Sequence, residues 1–271
     1  MQHALRDRVV GRLKSRRLST LALPVAATAL VVPLLAATGT PAAVPAAGPV
    51  SPATVPAAVV APAATGWVKV FSDGFKRGVT RPWSVYAGQP GGNAYGLWSR
   101  SNVTARKGKL VLRGDAAGGR AVTGGLCLCS LNLTYGRWEA KIKVQADRGV
   151  KWVALLWPQS GRWPMDGEVD FAEDFGGSRS GFSAFVHYGA NNAQIHRVAP
   201  RVNMTKWHRV GVEWTPGQLR FLIDGKVWGT VTGPAVPTKA MHLAIQTEGV
   251  ARAQANPADL KVDWVKVWRL A

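Results

Sequence analysis

Acidic residues are what this chain is short of: 15 Asp and Glu stand against 34 Lys and Arg in 271 residues, a formal charge of +19. Cysteine is nearly absent, with Cys127 and Cys129 the only two. A lone pair excludes the doubled spacing of a zinc ribbon, and the lack of any cysteine before position 127 excludes lipid attachment through an N-terminal Cys. At i and i+2 on an extended strand their Cα atoms fall about 6.5–7 Å apart, the upper limit for a disulfide, so two buried thiols are favoured over a bridge. No segment of useful length repeats its apolar residues every 3.6 positions, which excludes a helical bundle. The apolar run Leu21 to Ala37 is short for a membrane span and is interrupted at Pro24 and Pro33. There is no nucleic-acid-binding motif and no dense Lys/Arg run after residue 66. The basic balance therefore points to acidic surroundings such as cell-wall polymers or anionic polysaccharide, and no nucleic-acid partner is expected.

What is present falls into three parts. Residues 1–40 open basic, continue apolar and end in small residues, as a secretory signal peptide does. Ser15-Arg16-Arg17-Leu18 invites a twin-arginine reading, although Ser19 stands where an aromatic is wanted. A membrane anchor ranks second, so no stable membrane insertion is expected after cleavage. Residues 41–65 are almost wholly Ala, Pro, Val, Gly, Ser and Thr, the composition of a disordered linker. Residues 66–271 form the domain. Setting aside the six basic residues and one acid of the first 66 positions leaves 28 against 14, so the domain itself carries +14.

From Trp67 onward the pattern is short and alternating. Trp138, Ala140, Ile142 and Val144 share one phase; so do Phe182, Ala184, Val186 and Tyr188; Val210, Val212 and Trp214; and Met241, Leu243 and Ile245. Leu219 to Ile223 and Lys226 to Val231 flank Asp224-Gly225, a type I′ hairpin signal. Leu260, Val262 and Trp264 begin a last strand. Many short strands with turn signals between them predict an all-β sandwich of antiparallel sheets.

On this acid-poor chain, Asp166, Glu168, Asp170, Glu173 and Asp174 fall within nine residues. Mutual repulsion raises the proton affinity of at least one carboxyl in such a cluster. In a strand Glu168 and Asp170 point the same way, whereas Glu173, five on from Glu168, points away. One extra residue near Phe171-Ala172, a β-bulge, returns Glu173 to the shared face. The two Glu Cα atoms then lie roughly 13 Å apart and their carboxyls about 5–6 Å, the separation of a retaining glycosidase. An exposed acidic strand edge and a metal-binding acid cluster are the competing readings.

Glu168-Val169-Asp170-Phe171-Ala172-Glu173, with Trp163-Pro164 ahead of it, resembles the signature of the family 16 glycoside hydrolases in its longer, bulged form. Tyr135-Gly136-Arg137-Trp138-Glu139-Ala140, Glu213-Trp214-Thr215-Pro216 and the closing Val262-Asp263-Trp264-Val265-Lys266-Val267 fit the same family in the same order. The resemblance implies a β-jelly roll of two stacked antiparallel sheets (a concanavalin A-like fold) with a polysaccharide groove. It implies Glu168 as nucleophile, Glu173 as general acid and then base, and Asp170 tuning both. It implies a secreted or cell-wall-associated, endo-acting retaining hydrolase of β-1,3- or mixed-linked β-glucan, working as a monomer. A non-catalytic carbohydrate-binding relative and a transglycosylase are the alternatives. No cofactor is required; a structural calcium on the convex face occurs among relatives, and its ligands are unassigned here. Trp157 and Trp163 are the candidate sugar platforms, with Trp152 less suited, and His187, Gln246 and Asn102 are candidate substrate contacts. His208 and Glu213 read as structural, His196 and His242 as surface residues. Ala172 stands where many members carry a larger aliphatic residue, and the run Leu126 to Ser130 matches no family hallmark.

Overall fold

The computed structural model describes residues 66–90, 96–117, 120–146, 149–250 and 258–271. The expected leader and linker lie outside the described residues. In chain order the strands are β1 (Trp67–Asp73), β2 (Ser84–Val85), β3 (Gly96–Trp98), β4 (Val103–Ala105), β5 (Leu110–Ala117), β6 (Arg120–Thr123), β7 (Gly125–Cys127), β8 (Gly136–Val144), β9 (Val150–Pro158), β10 (Glu168–Asp174), β11 (Ser183–Tyr188), β12 (Ala193–Val198), β13 (His208–Thr215), β14 (Gln218–Ile223), β15 (Lys226–Thr232), β16 (Met241–Gly249) and β17 (Ala258–Leu270). They form two sheets, as the alternation predicts.

The larger sheet has ten strands, ordered β15-β14-β13-β8-β17-β5-β6-β3, with β1 added on β17 and β4 on β5. The smaller has seven, ordered β12-β11-β10-β9-β16-β7-β2. Pairing is antiparallel throughout except between β3 and β6, which run parallel. Trp138, Ala140, Ile142 and Val144 of β8 turn inward, as do Val210, Val212 and Trp214 of β13 and Leu243 and Ile245 of β16, and all are buried in one shared core. The Trp138 and Trp214 rings stack 6.1 Å apart there. The predicted β14–β15 hairpin forms, and both turn residues adopt positive φ, Asp224 at 50° and Gly225 at 82°, as a type I′ turn requires.

The seven-stranded sheet gives one face to this core and leaves the other open. On β11, Ala184 and Val186 face the core, so Phe185 and His187 face the other way. The outward phase of the small sheet is therefore where any site must lie.

One expectation is overturned. Cys127 and Cys129 are joined in a disulfide. The flat-strand spacing overestimated their separation, because β7 ends at Cys127 and the chain turns there, bringing the Cα atoms to 5.1 Å.

Candidate active site

β10 lies centrally in the small sheet, between β9 and β11. Against β11 the register runs Glu168 with His187 and Asp170 with Phe185, then shifts so that Glu173 meets Ser183. Against β9 it runs Asp170 with Leu155, then Ala172 with Ala154 and Glu173 with Val153. Three steps on β10 thus match two on each neighbour: the bulge falls where the sequence requires it. Phe171 and Ala172 are both fully buried in the core, and Glu168, Asp170 and Glu173 all line the open groove. Counted by paired positions, Glu168 and Glu173 are four rises apart, roughly 13 Å.

The groove encloses about 730 Å³ and crosses the whole sheet, from Gln194 on β12 to Tyr86 beside β2. Seven strands make six spacings, a track of roughly 29 Å. Its floor beside the acids is apolar: Val153 and Leu155 of β9 with Ala244 of β16. Trp157 and Trp163 stack with their planes 9° apart and centroids 6.4 Å apart, and His187 lies 6.0 Å from Trp163. On the β12 side, Phe185 stacks on His196 at 4.4 Å and meets Phe175 edge-on. On the far side the Tyr86 and Trp98 rings are 4.7 Å apart. Aromatic surface thus flanks the acids on both sides, the pattern suited to sugar rings lying along the groove.

Each acid has a defined partner. Trp163 donates its indole N–H to Glu168 Oε2 at 2.6 Å. His187 Nε2 is 3.4 Å from Asp170 Oδ2, and its Nδ1 pairs with Asn192 Oδ1 at 2.8 Å. Lys151 Nζ sits 3.5 Å from both Glu173 and Glu248, and Gln246 donates to Glu248 at 2.6 Å. Burial, and then the Asp170 charge, push Glu168 up to about 9, against the pull of His187 and the Trp163 donor. Burial and Asp170 likewise push Glu173 up to about 7, with Lys151 pulling it down. Burial alone would lower His187, but its hydrogen bonds to Asp170 and Asn192, with the nearby charges, carry it up to about 9. The site therefore retains carboxyl protons near neutrality, and its titrations belong to the cluster jointly.

Trp157, Trp163, His187 and Gln246 line the groove; Asn102 does not. Asn102 is buried, and its amide nitrogen is committed to the carbonyls of Arg113 at 2.9 Å and Val122 at 3.0 Å, so it ties β5 to β6 instead of meeting substrate. Trp152 is in the core. His208 pairs with Asp224, and Glu213 with Arg137 and Arg220, both in the large sheet. His242 is not a surface residue. It is buried between Asn132 and Cys129, with Nδ1 3.1 Å from Asn132 Oδ1 and Nε2 3.5 Å from Cys129 Sγ, and burial lowers its proton affinity.

Lys151, Phe175, Phe185, Glu248, Tyr86 and Trp98 also line the groove, and residue spacing alone does not single them out. Phe185 had a signal: it is an aromatic in the polar phase of β11, opposite Ala184 and Val186. Lys151 lies on β9, whose run is apolar on both faces and gives no phase. Tyr86 and Trp98 border strands too short for one.

Two side-chain groups have metal-like proximity among the described residues: Cys127 with Cys129 and His242, and Glu168 with Asp170 and His187. The first has its sulfurs in a disulfide, and the second is the acid cluster itself. On the large sheet, Asp263 gives one oxygen to Lys109 at 2.7 Å and the other to Lys141 at 2.9 Å. Two ammonium groups occupy that carboxylate, so it does not fit a calcium ligand.

The family profile described as glycosyl hydrolases family 16 matches residues 91–266. Among curated proteins, the clotting factor G alpha subunit of Tachypleus tridentatus is 26% identical over 231 residues, 75% of this chain and 34% of that protein. A glucan endo-1,3-beta-glucosidase of Cryptopygus antarcticus is 26% identical over 147 residues, 48% of this chain and 54% of its own. The chain thus spans between a third and somewhat over half of these relatives. Among solved structures, the laminarinase of Rhodothermus marinus superposes with a TM-score of 0.68 at 24% identity, covering 76% of this chain and 98% of that one; this likeness shows the fold, a jelly roll.

Proposed function

Because this chain belongs to the glycosyl hydrolases of family 16, we propose that it is a secreted, endo-acting, retaining hydrolase of β-1,3- or mixed-linked β-glucan. The observation that carries the reading is the bulge in β10, which puts Glu168 and Glu173 on one face of an open, aromatic-flanked groove. A groove open along the sheet suits a chain bound mid-length. Glu168 attacks the anomeric carbon while Glu173 gives its proton to the departing glycosidic oxygen. Glu173 then takes a proton from the water that releases the glycosyl-enzyme. Asp170, hydrogen-bonded to His187, holds negative charge between the two. Export is supported by the leader-like start of the sequence and by the Cys127–Cys129 disulfide, since such bonds persist in oxidising compartments.

The competent form has Glu168 ionised and Glu173 protonated, one proton held within a cluster whose carboxyls are both pushed upward. The Trp163 indole, aimed at Glu168, favours that form, and so does His187 when charged.

The test is hydrolysis of laminarin, lichenan and sulfated galactan by the wild type and by Glu168→Gln, with released sugars followed by NMR. β-Configured initial products are expected, along with a loss of at least roughly 10³-fold in kcat for the variant. Binding without cleavage by the wild type would favour a carbohydrate-binding relative, and α-configured initial products would sink the retaining step.

A further inference from the structure

The face of the large sheet turned away from the groove carries a concentration of lysine. Trp207 has the ammonium groups of Lys109, Lys141 and Lys143 at 5.4, 5.7 and 5.4 Å from its ring. Lys266 lies 4.3 Å from the Trp264 ring. Trp264 in turn walls a shallow depression of about 520 Å³, together with Lys76, Lys107, Lys109 and Asp263. Contact by contact, six lysines and two indoles form one continuous surface.

Asp263 is the only carboxylate in this set, and it is already spent on Lys109 and Lys141. Those two ammonium groups hold it below the usual carboxylate range. Lys76, Lys107, Lys143 and Lys266 have no carboxylate within ion-pair distance among the described residues. Packing lysine stems on indole faces explains why they gather. It does not balance the charge: Glu139, across the strand pair from Lys266, is itself held by Arg137, and the surface stays net positive.

We propose that this face is a second binding site, for an anionic polysaccharide. Acidic groups of the polymer (sulfate, carboxylate or phosphate) pair with the free ammonium groups, and its sugar rings lie against Trp264 and Trp207 where the lysines part. Acidic polysaccharide is favoured over nucleic acid because the chain has no nucleic-acid motif and no dense Lys/Arg run after residue 66. The site lies on the opposite sheet from the groove and does not depend on what the groove cleaves. Its role is to hold the protein against an acidic matrix while the groove stays open.

The experiment is affinity electrophoresis of the full chain through gels containing λ-carrageenan, polygalacturonate or a wall phosphate polymer, with laminarin and duplex DNA as comparisons. The variant is Lys107→Gln/Lys143→Gln/Lys266→Gln, which leaves the groove untouched. We expect retardation by at least one anionic polysaccharide, which identifies the acidic group. The triple variant should lower that affinity roughly tenfold, with laminarin hydrolysis unchanged and free laminarin unable to displace the polymer. Equal retardation of the variant, displacement by laminarin, or equally tight binding of DNA at the same ionic strength would each overturn the proposal. Circular dichroism of the variant shows that it is folded, whichever polymer the groove cleaves.

Discussion

Replacing Lys151 with Met tests the electrostatics of the groove most directly. The Lys151 ammonium is 3.5 Å from Glu173 and opposes the burial and Asp170 charge that push this acid up to about 7. At that distance a unit pair is worth about 1.2 kcal/mol at the dielectric of water and about 4.7 kcal/mol at an effective value of 20. Lys151 is largely buried, with 22% of its side chain exposed, so the lower figure is a floor, equivalent to about one pH unit. Losing the ammonium also leaves Glu173 facing Glu248 unscreened, which pushes the same way. The expected result is that the limb of the kcat/KM profile lying near pH 7 moves up by about one unit or more. The direction holds whichever carboxyl carries the proton first. The assay is laminarin hydrolysis between pH 4 and 10 under kcat/KM conditions, with circular dichroism to confirm the fold. A limb that stays in place, or moves down, would refute the claim that Lys151 sets the proton affinity of Glu173.

Trp163→Phe keeps an aromatic platform but removes the donor to Glu168; since a hydrogen bond to a charged group is worth about 1.5–3 kcal/mol, kcat/KM should fall about 10–100-fold, and unchanged kinetics would show that the indole N–H is idle. Glu173 binds its proton more tightly folded than unfolded, so its contribution to stability is complete below pH 4.5 and is lost as the pH rises through about 7; Glu173→Gln should flatten urea-derived stability over that window. Arg179 is fully buried and pairs with Asp174 at 3.3 Å, so Arg179→Ala strands a carboxylate and should cost about 3–5 kcal/mol in denaturant unfolding. Deleting Ala172 removes the extra residue but leaves Glu173 an even number of positions from Glu168; a folded protein with reduced yet measurable hydrolysis is expected, and a folded, wholly inactive one would refute the register argument.

Much of the fold is legible because large apolar residues alternate with small or polar ones along most of its long strands, even where both faces are buried. The phases of β8, β11, β13 and β16 give the inward residues directly, and the Asp224-Gly225 turn follows from its backbone requirement. The catalytic strand was legible for a different reason: three carboxylates on a basic chain stand out, and parity alone demands a bulge. Legibility stops where a residue's partners are distant in sequence. Asn102 and His242 depart from their expected places because their hydrogen bonds reach β5, β6 and the Cys129–Asn132 turn. The disulfide departs from expectation because straight-strand spacing does not anticipate the turn after Cys127. Lys151 could not be phased at all, since β9 is apolar on both faces.

The extra residue in β10 has an evolutionary consequence. A strand stores its two faces as odd and even positions, so a one-residue insertion in a regular strand would exchange inside and outside for everything downstream. Here the insertion is absorbed on the core side, where Phe171 and Ala172 both point inward, and the outward sequence of acids reads on uninterrupted. The bulged residue can therefore be gained or lost without inverting the sheet. Such a strand tolerates a one-residue change in sequence between nucleophile and acid while their distance, four rises, and the core's pattern stay intact.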